Sequence, residues 1–597
     1  MPAPAATAPF LGVERSIGGR RWRGRPGDER TALALAQRLG VPDVVGRVLA
    51  ARGVEVEDAE GFLEPTLREH LPDPSHLLDM DPAAARIAAA IRRGEEVCVF
   101  GDYDVDGATS SALLKRFFDA VGGRLRVYIP DRMREGYGPN AAALERLAAD
   151  GVRLLITVDC GTTAFEPLAA GVASGLEVIV VDHHQAEPQL PAGCLVVNPN
   201  RLDEASPHRT LAAVGLTFLL LVAVNRALRE AGHYGAGPAP DLLRWLDMVA
   251  LGTVCDVVAL KGLNRVFVSQ GLKVLAERGN LGLRALADIA GMDGRPGAFH
   301  LGFVLGPRIN AGGRVGQADL GARLLTTADE MEAVAIAQTL DRLNAERRAI
   351  ESGVLEAATV EAERKRQEAL ILVAGHGWHE GVIGIVAGRL KDRFRRPAFV
   401  LSLGDGIAKG SGRSVPGVDL GAAVTAARQA GLLLNGGGHA MAAGLTVAEA
   451  QVGALEAFLT ARIAPALAET PAADTLQLDG ALAVRGATRE LYDLLERAGP
   501  YGAGHPEPRF AVPSARVVRA DVVGGEHVRA ILSGADGGRL KGIAFRAGDS
   551  GLGLALLRSG GRPLHLAGKL RADDWQGRNS VQLTIEDAAY ADAADGG

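Results

Sequence analysis

VCVFGDYDVDGATSS, residues 97–111, is the stretch on which the reading of this chain turns. Val97, Cys98, Val99 and Phe100 form a short apolar run with β-branched character, the pattern of a buried strand. Gly101 breaks the run, three carboxylates alternate at Asp102, Asp104 and Asp106, and Gly107 closes the turn. From Ala108 to Val121 the spacing is helical, with Leu113, Leu114, Phe117 and Phe118 on one face. The acids therefore stand at the C-terminal end of a strand, at the mouth of a βα unit, where open parallel sheets place their ligand sites. Crowding unneutralised carboxylates is unfavourable, and a divalent cation is the usual remedy.

Other readings of the stretch are separable. An EF-hand loop counted from Asp102 requires Glu at its twelfth position, which is Leu113, and a helix before it where a strand stands. A haloacid-dehalogenase-type nucleophile at Asp104-x-Asp106, ahead of Thr109, and a solvated acidic turn both stay open on these residues alone.

Outward from this stretch, 597 residues suggest three or four domains, and 47% hydrophobic with 23% charged residues is ordinary for a globular protein with a large core. A net charge of −6 argues against indiscriminate polyanion binding but leaves room for a local basic groove. Cys98, Cys160, Cys194 and Cys255 are scattered without a C-x-x-C, which suggests neither a zinc knuckle nor a disulfide framework and fits a reducing cytoplasm. The Ala-, Pro- and Arg-rich N-terminus lacks the apolar core of a secretory signal, and Leu211–Val224 is too short to span a bilayer; a buried helix is expected there.

From Asp81 the chain alternates strand and helix, with strand candidates Val97–Phe100, Leu125–Ile129, Leu154–Val158 and Val178–Val181, which predicts a parallel sheet covered on both faces. Leu154–Val158 delivers Asp159, Val178–Val181 delivers Asp182, His183 and His184, and a further apolar segment, Met248–Val254, delivers Asp256. Four apolar segments ending in acids or an acid–histidine cluster suit Mn²⁺ or Mg²⁺ better than a thiolate-rich zinc site. Carboxylates commonly hold two such ions about 3.5–4 Å apart for phosphoester chemistry.

GDYDVDG, VDCG, VDHH and TVCD, in this order and spacing, resemble the motifs of the DHH phosphoesterase family, and most closely its members that degrade single-stranded DNA. The resemblance runs down nearly the whole chain. It implies metal ligation by Asp104, Asp106, Asp159, His183 and Asp256, with Asp159 bridging. Asp102 and Asp182 become occasional ligands or residues that orient the others, and His184 contacts the scissile phosphate or assists the leaving oxygen. Arg132, in the RMREGYG loop, would touch a phosphate in a fork geometry that Lys cannot reproduce. Leu305–Arg314 reads as a Gly-rich loop whose counterpart in the family closes over the DNA backbone, which points to Arg308, Asn310 and Arg314.

Asp329–Glu368 reads as one long helix, a connector of roughly 60 Å at about 1.5 Å per residue. In the α/β unit that follows, His379-Glu380 lacks the H-E-x-x-H spacing of a metal site. Lys409–Ser414 and Gly436–His439 are read as glycine-rich anion loops, in which Ser411 and Arg413 clamp a terminal phosphate and Gly437, Gly438 and His439 form a nest. This unit resembles the DHH-associated domain. Pro465–Thr475 reads as a linker, and beyond it short strands between Gly-rich turns suggest an OB-fold barrel that binds a single strand through Arg529, Lys541, Arg546, Lys569, Arg571 and Trp575.

The expected architecture is α/β: an N-terminal tail and helical extension (1–80), a DHH-type parallel-sheet domain (81–328), a connector helix (329–368), a smaller α/β DHH-associated domain (369–467) and a C-terminal OB-fold β-barrel (476–590). The expected activity is hydrolysis of single-stranded DNA with two divalent cations, Mn²⁺ or Mg²⁺, in the 5′-to-3′ direction that the resemblance implies, in recombination and repair. A monomer is expected, with no membrane contact, and with a single-strand-binding protein and a helicase as partners by family analogy. Two alternatives are a phosphodiesterase of short oligoribonucleotides or cyclic dinucleotides and a non-catalytic single-strand-binding scaffold.

Overall fold

The computed structural model describes residues 8–131, 135–136, 138–469, 475–573 and 579–591. The chain divides into two compact units: Pro72–Val258 with Gln270–Pro471, and Met1–Leu71 with Ala259–Ser269 and Ala472–Gly597.

The first of these carries the acids. Strand β1 (Glu96–Gly101) leads through the acidic turn into helix α1 (Val105–Ala120), and strands β2 (Arg124–Tyr128), β3 (Leu154–Val158), β4 (Glu177–Val181) and β5 (Cys194–Val197) complete a sheet. Its order is β2-β1-β3-β4-β5, and all pairs are parallel. The order reverses between β1 and β3, which opens the crevice at the strands' C-terminal ends that ligands use. β3 is buried along its whole length, as a strand covered on both faces must be. Phe117 and Phe118 of α1 are fully buried, each contributing about 1.5–3 kcal/mol by burial. Helix α2 (Ala213–Glu230) is the buried helix expected around Leu211–Val224.

Two segments complete the setting of the acids, and the second takes a shape other than the one expected. The apolar run before Asp256 is a helix, α3 (Leu246–Cys255), because a fully apolar run carries no period that separates strand from buried helix. The Gly-rich stretch at 305–314 is no loop: a π-helical turn at His300–Leu305 runs into helix α4 (Gly306–Val315). Its glycines serve close approach. A Cβ on Gly313 would lie 2.7 Å from the Tyr103 carbonyl, and one on Gly306 would collide with Cys255 Sγ.

The connector is helix α5 (Glu330–Arg364), 35 residues capped by the Asp329 carboxylate, which spans about 50 Å at 1.5 Å per residue. Strand β6 (Ile371–His376), helix α6 (Glu380–Phe394), and strands β7 (Ala398–Gly404), β8 (Ile407–Arg413), β9 (Asn435–His439) and β10 (Ala442–Ala448) form the second sheet, ordered β9-β10-β8-β7-β6. Both glycine-rich segments read as loops are strands in this sheet, and β9 is its edge. Glycines at Gly410 and Gly412 leave room for Leu445 and Phe399 to cross the sheet face. Pro465, read as linker, lies inside a helix that runs from Val452 to Glu469.

In the second unit, strands β11 (Phe510–Val523), β12 (His527–Ser533), β13 (Arg539–Ala544), β14 (Leu564–Asp573) and β15 (Ser580–Tyr590) run in the order β11-β12-β13-β15-β14, and a β11–β14 pairing closes the barrel. The long β11 serves both neighbours by shifting register between Val517 and Arg519 and between Val512 and Ala515. The N-terminal segment is part of this unit: Arg21–Gly24 pairs in parallel with Thr475–Leu478, and the fully buried Trp22 donates its indole N–H to Asp587 at 2.9 Å. Among the described residues no helix is long and apolar enough to cross a membrane.

Candidate metal centre

The rim is assembled by capping and by close packing. Asp104 is the N-cap of α1: its Oδ1 accepts the N–H groups of Asp106 (2.8 Å) and Gly107 (3.1 Å). A Cβ on Gly107 would collide with the backbone of Asp102, so glycine at this position lets the turn fold back on itself. Asp106, in the first turn of α1, accepts the Ala213 and Val214 N–H groups at 2.7 and 2.8 Å, both at the start of α2. That dipole end orients the carboxylate. Asp159 follows β3 with a left-handed backbone (φ 60°), a conformation that costs free energy in a non-glycine residue and clusters at functional sites.

These elements bring the predicted ligands together. His183 Nε2 lies 3.2 Å from Asp159 Oδ1, 3.6 Å from Asp256 Oδ2 and 4.0 Å from Asp106 Oδ2. Three sets each offer ligand atoms within 4.8 Å of one another: Asp159 with His183 and His184, Asp106 with His183 and Asp256, and Asp102 with Asp104 and Asp159. Asp159 and His183 are each shared by two sets. Buried His183 Nε2 and Asp256 Oδ2 make no hydrogen bond, although a protein interior rarely leaves such atoms unsatisfied. Carboxylates with a neutral imidazole are the donor set of Mn²⁺ or Mg²⁺, so these residues fit a divalent cation.

The electrostatics agree. Burial, then the charge of Asp104, pushes Asp106 up to about 7; burial, then Asp106 and Asp104, pushes Asp256 up to about 9. Asp159 is raised well above the usual carboxylate range, first by burial and then by Asp104, Asp106, Asp102 and Asp256. Burial, then the neighbouring His184 charge, holds His183 down to about 4, which keeps it neutral and able to ligate.

Asp182 has a different task. Its Oδ1 accepts the His183 N–H (2.8 Å) and lies 2.7 Å from His184 Nδ1, while its Oδ2 accepts the Thr162 N–H (3.0 Å). Burial opposes the charge on His184, but the hydrogen bond to Asp182 and the fields of Asp182, Asp256 and Asp102 outweigh it and push His184 up to about 9. For Asp182, burial is likewise outweighed by His184, and its carboxyl stays well below the usual range. Sequence reasoning missed the residues that hold this histidine pair from behind. Asn198 donates to the His184 carbonyl at 2.9 Å, and Asn200 donates to that of His183 at 2.5 Å. The signal was Asn198-Pro199-Asn200 directly after a strand.

The predicted substrate residues are more dispersed. Arg308 is held by Asp341 (2.9 Å) and the Val304 carbonyl (2.7 Å), Asn310 sits half-buried on α4, and Arg314 donates to the Gly381 carbonyl at 3.0 Å. Arg413 bonds Ser411 Oγ (3.2 Å) and the Gly412 carbonyl (2.9 Å) on β8. Gly437, Gly438 and His439 lie exposed on the edge strand β9, in a strand and not in the nest expected of them. His439 is lowered by burial and then by the charges of Arg413 and His184. Arg132 and Trp575 lie outside the described residues. On the barrel, Arg529 pairs with Asp521 (2.6 Å), Lys541 with Asp573, Arg546 with Glu526 (3.9 Å), Lys569 with Glu507 and Glu586 (3.4 Å each), and Arg571 with Glu507.

A parallel sheet whose switch point gathers acids and a histidine pair, followed by a smaller mixed sheet and a closed barrel, defines a DHH-family protein. The models for the DHH family, N-terminal domain, the DHHA1 domain and the RecJ OB domain match residues 96–253, 367–464 and 478–587. The chain is 36% identical over 561 residues to the single-stranded-DNA-specific exonuclease RecJ of Dickeya dadantii, covering 92% of this chain and 96% of that protein. It is 35% identical to RecJ of Escherichia coli, again covering 92% and 96%. The crystal structure of Thermus thermophilus RecJ with Mn²⁺ superposes with a TM-score of 0.80 at 31% identity, over 95% of this chain and 79% of that one; the Mg²⁺ complex gives 0.75 at 30%, over 95% and 78%. This chain belongs to the RecJ family of single-stranded-DNA-specific exonucleases.

Proposed function

We propose that this chain is a metal-dependent exonuclease that hydrolyses the phosphodiester bonds of single-stranded DNA from the 5′ end, in recombination and repair. The observation that carries the reading is that Asp159 stands in one set with Asp102 and Asp104 and in another with His183, so that this one carboxylate would serve two adjacent divalent cations. Divalent cations held there would make a water acidic enough to ionise near neutral pH and stabilise charge on the phosphoryl oxygens.

The chain's own residues do the rest. Asp106, oriented by the start of α2, and Asp256, at the end of α3, hold the ligand set open. His184, kept in place by Asp182, donates a hydrogen bond to the phosphate or a proton to the leaving oxygen. Ser411 and Arg413 bind the terminal 5′ phosphate, with β9 and His439 against the strand, and Arg132 contacts the scissile or an adjacent phosphate. The DHH domain (81–328) cleaves, the associated domain (369–467) grips, the connector (329–368) joins them, and the barrel (476–590) retains the strand through its backbone. The protein acts as a cytoplasmic monomer and receives strands opened by a helicase and coated by a single-strand-binding protein.

Digestion of end-labelled single- and double-stranded DNA with Mn²⁺, Mg²⁺ and EDTA tests this. Release of nucleotides from the 5′ end of single strands only, abolished by EDTA, is expected. Binding of single strands without release would identify a scaffold, and preference for a dinucleotide over a long strand would identify a small-substrate phosphodiesterase.

A further inference from the structure

Arg314 is expected on the DNA backbone, yet the structure engages its guanidinium within the protein. Its Nη1 donates to the Gly381 carbonyl at 3.0 Å, and a Cβ on Gly381 would collide with the Arg314 carbonyl. The last turn of α4 and the first turn of α6 therefore meet backbone to backbone. On α4, the preceding Gly313 lies against the Tyr103 carbonyl, between Asp102 and Asp104. One turn along α6, a Cβ on Gly384 would stand 2.9 Å from Ser411 Oγ and 3.1 Å from Arg413 Nη2. Gly313, Gly381 and Gly384 thus link the acidic turn to the Ser411–Arg413 pair through an unbroken series of close contacts. The start of α6 is itself secured, because His379 Nδ1 accepts the Gly381 N–H at 3.0 Å and Arg389 of α6 bonds Glu351 of α5 at 2.7 Å. The Gly313–Tyr103 and Gly381–Arg314 contacts are between backbones, with no soft side chain to absorb a displacement, and Gly384 then seats the Ser411 and Arg413 side chains.

We infer that Arg314 is a positioning residue, and that the α4–α6 contact is a spacer that sets the distance between the metal-binding rim and the Ser411–Arg413 site. That distance decides which phosphate reaches the rim when the strand's end is held, and so the length of the fragment released in each cycle. The inference rests on the reading in which Ser411 and Arg413 hold the terminal phosphate.

The test is Gly381→Ala in the full chain, loaded with Mn²⁺ and supplied with a 5′-phosphorylated, uniformly labelled single strand whose products are resolved by length. Because a backbone carbonyl obstructs the new methyl group, α4 and α6 must separate. Turnover of bis(p-nitrophenyl) phosphate, a small diester that needs the rim alone, should stay within about twofold of the parent. DNA turnover should fall by about 10²-fold, the effect of an ångström-scale misplacement, and the released fragments should change or spread in length. Unaltered fragment length, or equal loss on both substrates, overturns the spacer. Gly353→Ala, on α5 with open space around it, controls for a stiffened helix and should change neither. If Gly381→Ala does not fold, Arg314→Lys removes the guanidinium–carbonyl bond without steric load and should spread fragment length to a smaller degree; unaltered fragment length there also overturns the spacer. The underlying reading fails separately: if Arg413→Ala leaves the preference for a 5′-phosphorylated over a 5′-hydroxyl strand unchanged, the terminal-phosphate site is lost. With that preference intact and fragment lengths unmoved, the spacer alone falls.

Discussion

Buried acids in the two units are neutralised in opposite ways. In the barrel unit, Asp587 accepts from Trp22 Nε1 (2.9 Å), Arg20 Nε (3.1 Å) and the Gly18 N–H (3.1 Å). Asp479 is held there by Arg52 (2.7 Å), Arg25 (3.2 Å) and the Arg509 N–H (2.9 Å). At the rim, Asp106, Asp159 and Asp256 instead surround His183, and burial, followed by the fields of neighbouring carboxylates with Asp104 among them, raises all three. A buried carboxylate paired with arginines supports the fold, whereas carboxylates crowded around one histidine call for a cation from solution. Burial alone does not separate structural from functional acids; the identity of the partners does.

The contrast is broken most severely by exchanging the acids for amides. Asp159→Asn should reduce DNA hydrolysis on the order of 10³-fold while leaving strand binding and the urea midpoint close to the parent. Asp587→Asn should do the reverse, costing about 3 kcal/mol in urea unfolding and sparing Mn²⁺ binding. A destabilised Asp159→Asn would make that residue structural.

The pH dependence of the metal-free protein comes next. The unfolded state has already ionised its aspartates at pH 6.5 and loses its histidine proton there, whereas the folded rim keeps protons on Asp256 and His184 up to about 9 and on Asp106 to about 7. Stability of the rim is therefore lost as pH rises from 6.5 to 9. In the barrel unit the buried His505, lowered to about 4 mainly by burial, has the opposite sign: it loses stability as pH falls from 6.5 toward 4. Hydrogen exchange at the two pH limits, read separately at Val158–Val181 and at Phe510–Val523, should show these opposed slopes. Saturating Mn²⁺ should erase the first and leave the second, adding about 2.7 kcal/mol at a hundredfold excess over Kd.

The smallest effect concerns the barrel's cations. Arg529 and Arg546 are exposed and, among the described residues, pair with Asp521 and Glu526, so a strand's phosphates can displace those acids. Replacing both by Ala should lower the slope of log affinity for a long single strand against log salt by about 1–2, with turnover of a small diester unchanged. An unchanged slope would move strand retention off this face.

How much of this was legible beforehand differs from element to element. Val97–Phe100 and Leu154–Val158 were readable as strands because short β-branched runs bounded by Gly and Asp have few alternatives. The run ending at Asp256 was not, since an apolar segment without period fits helix and strand equally. Gly-rich 305–314 and 409–414 misled for a shared reason: glycine marks a turn in sequence, but here it marks places where another backbone or side chain comes close. The rim acids and histidines were all nameable, whereas Asn198, Asn200 and the start of α2 act only on neighbours distant in the chain.

By itself the sequence determined the chemistry of the donors, their placement after apolar segments and the family to which the chain belongs, because residue type and local period are properties of neighbouring residues. Tertiary structure alone decided which acids are answered from within, which arginines are spent on the fold, and where glycine allows helices to touch. Those outcomes depend on atoms brought together from segments hundreds of residues apart, as Trp22 and Asp587 are, and on the burial that makes crowded like charges costly.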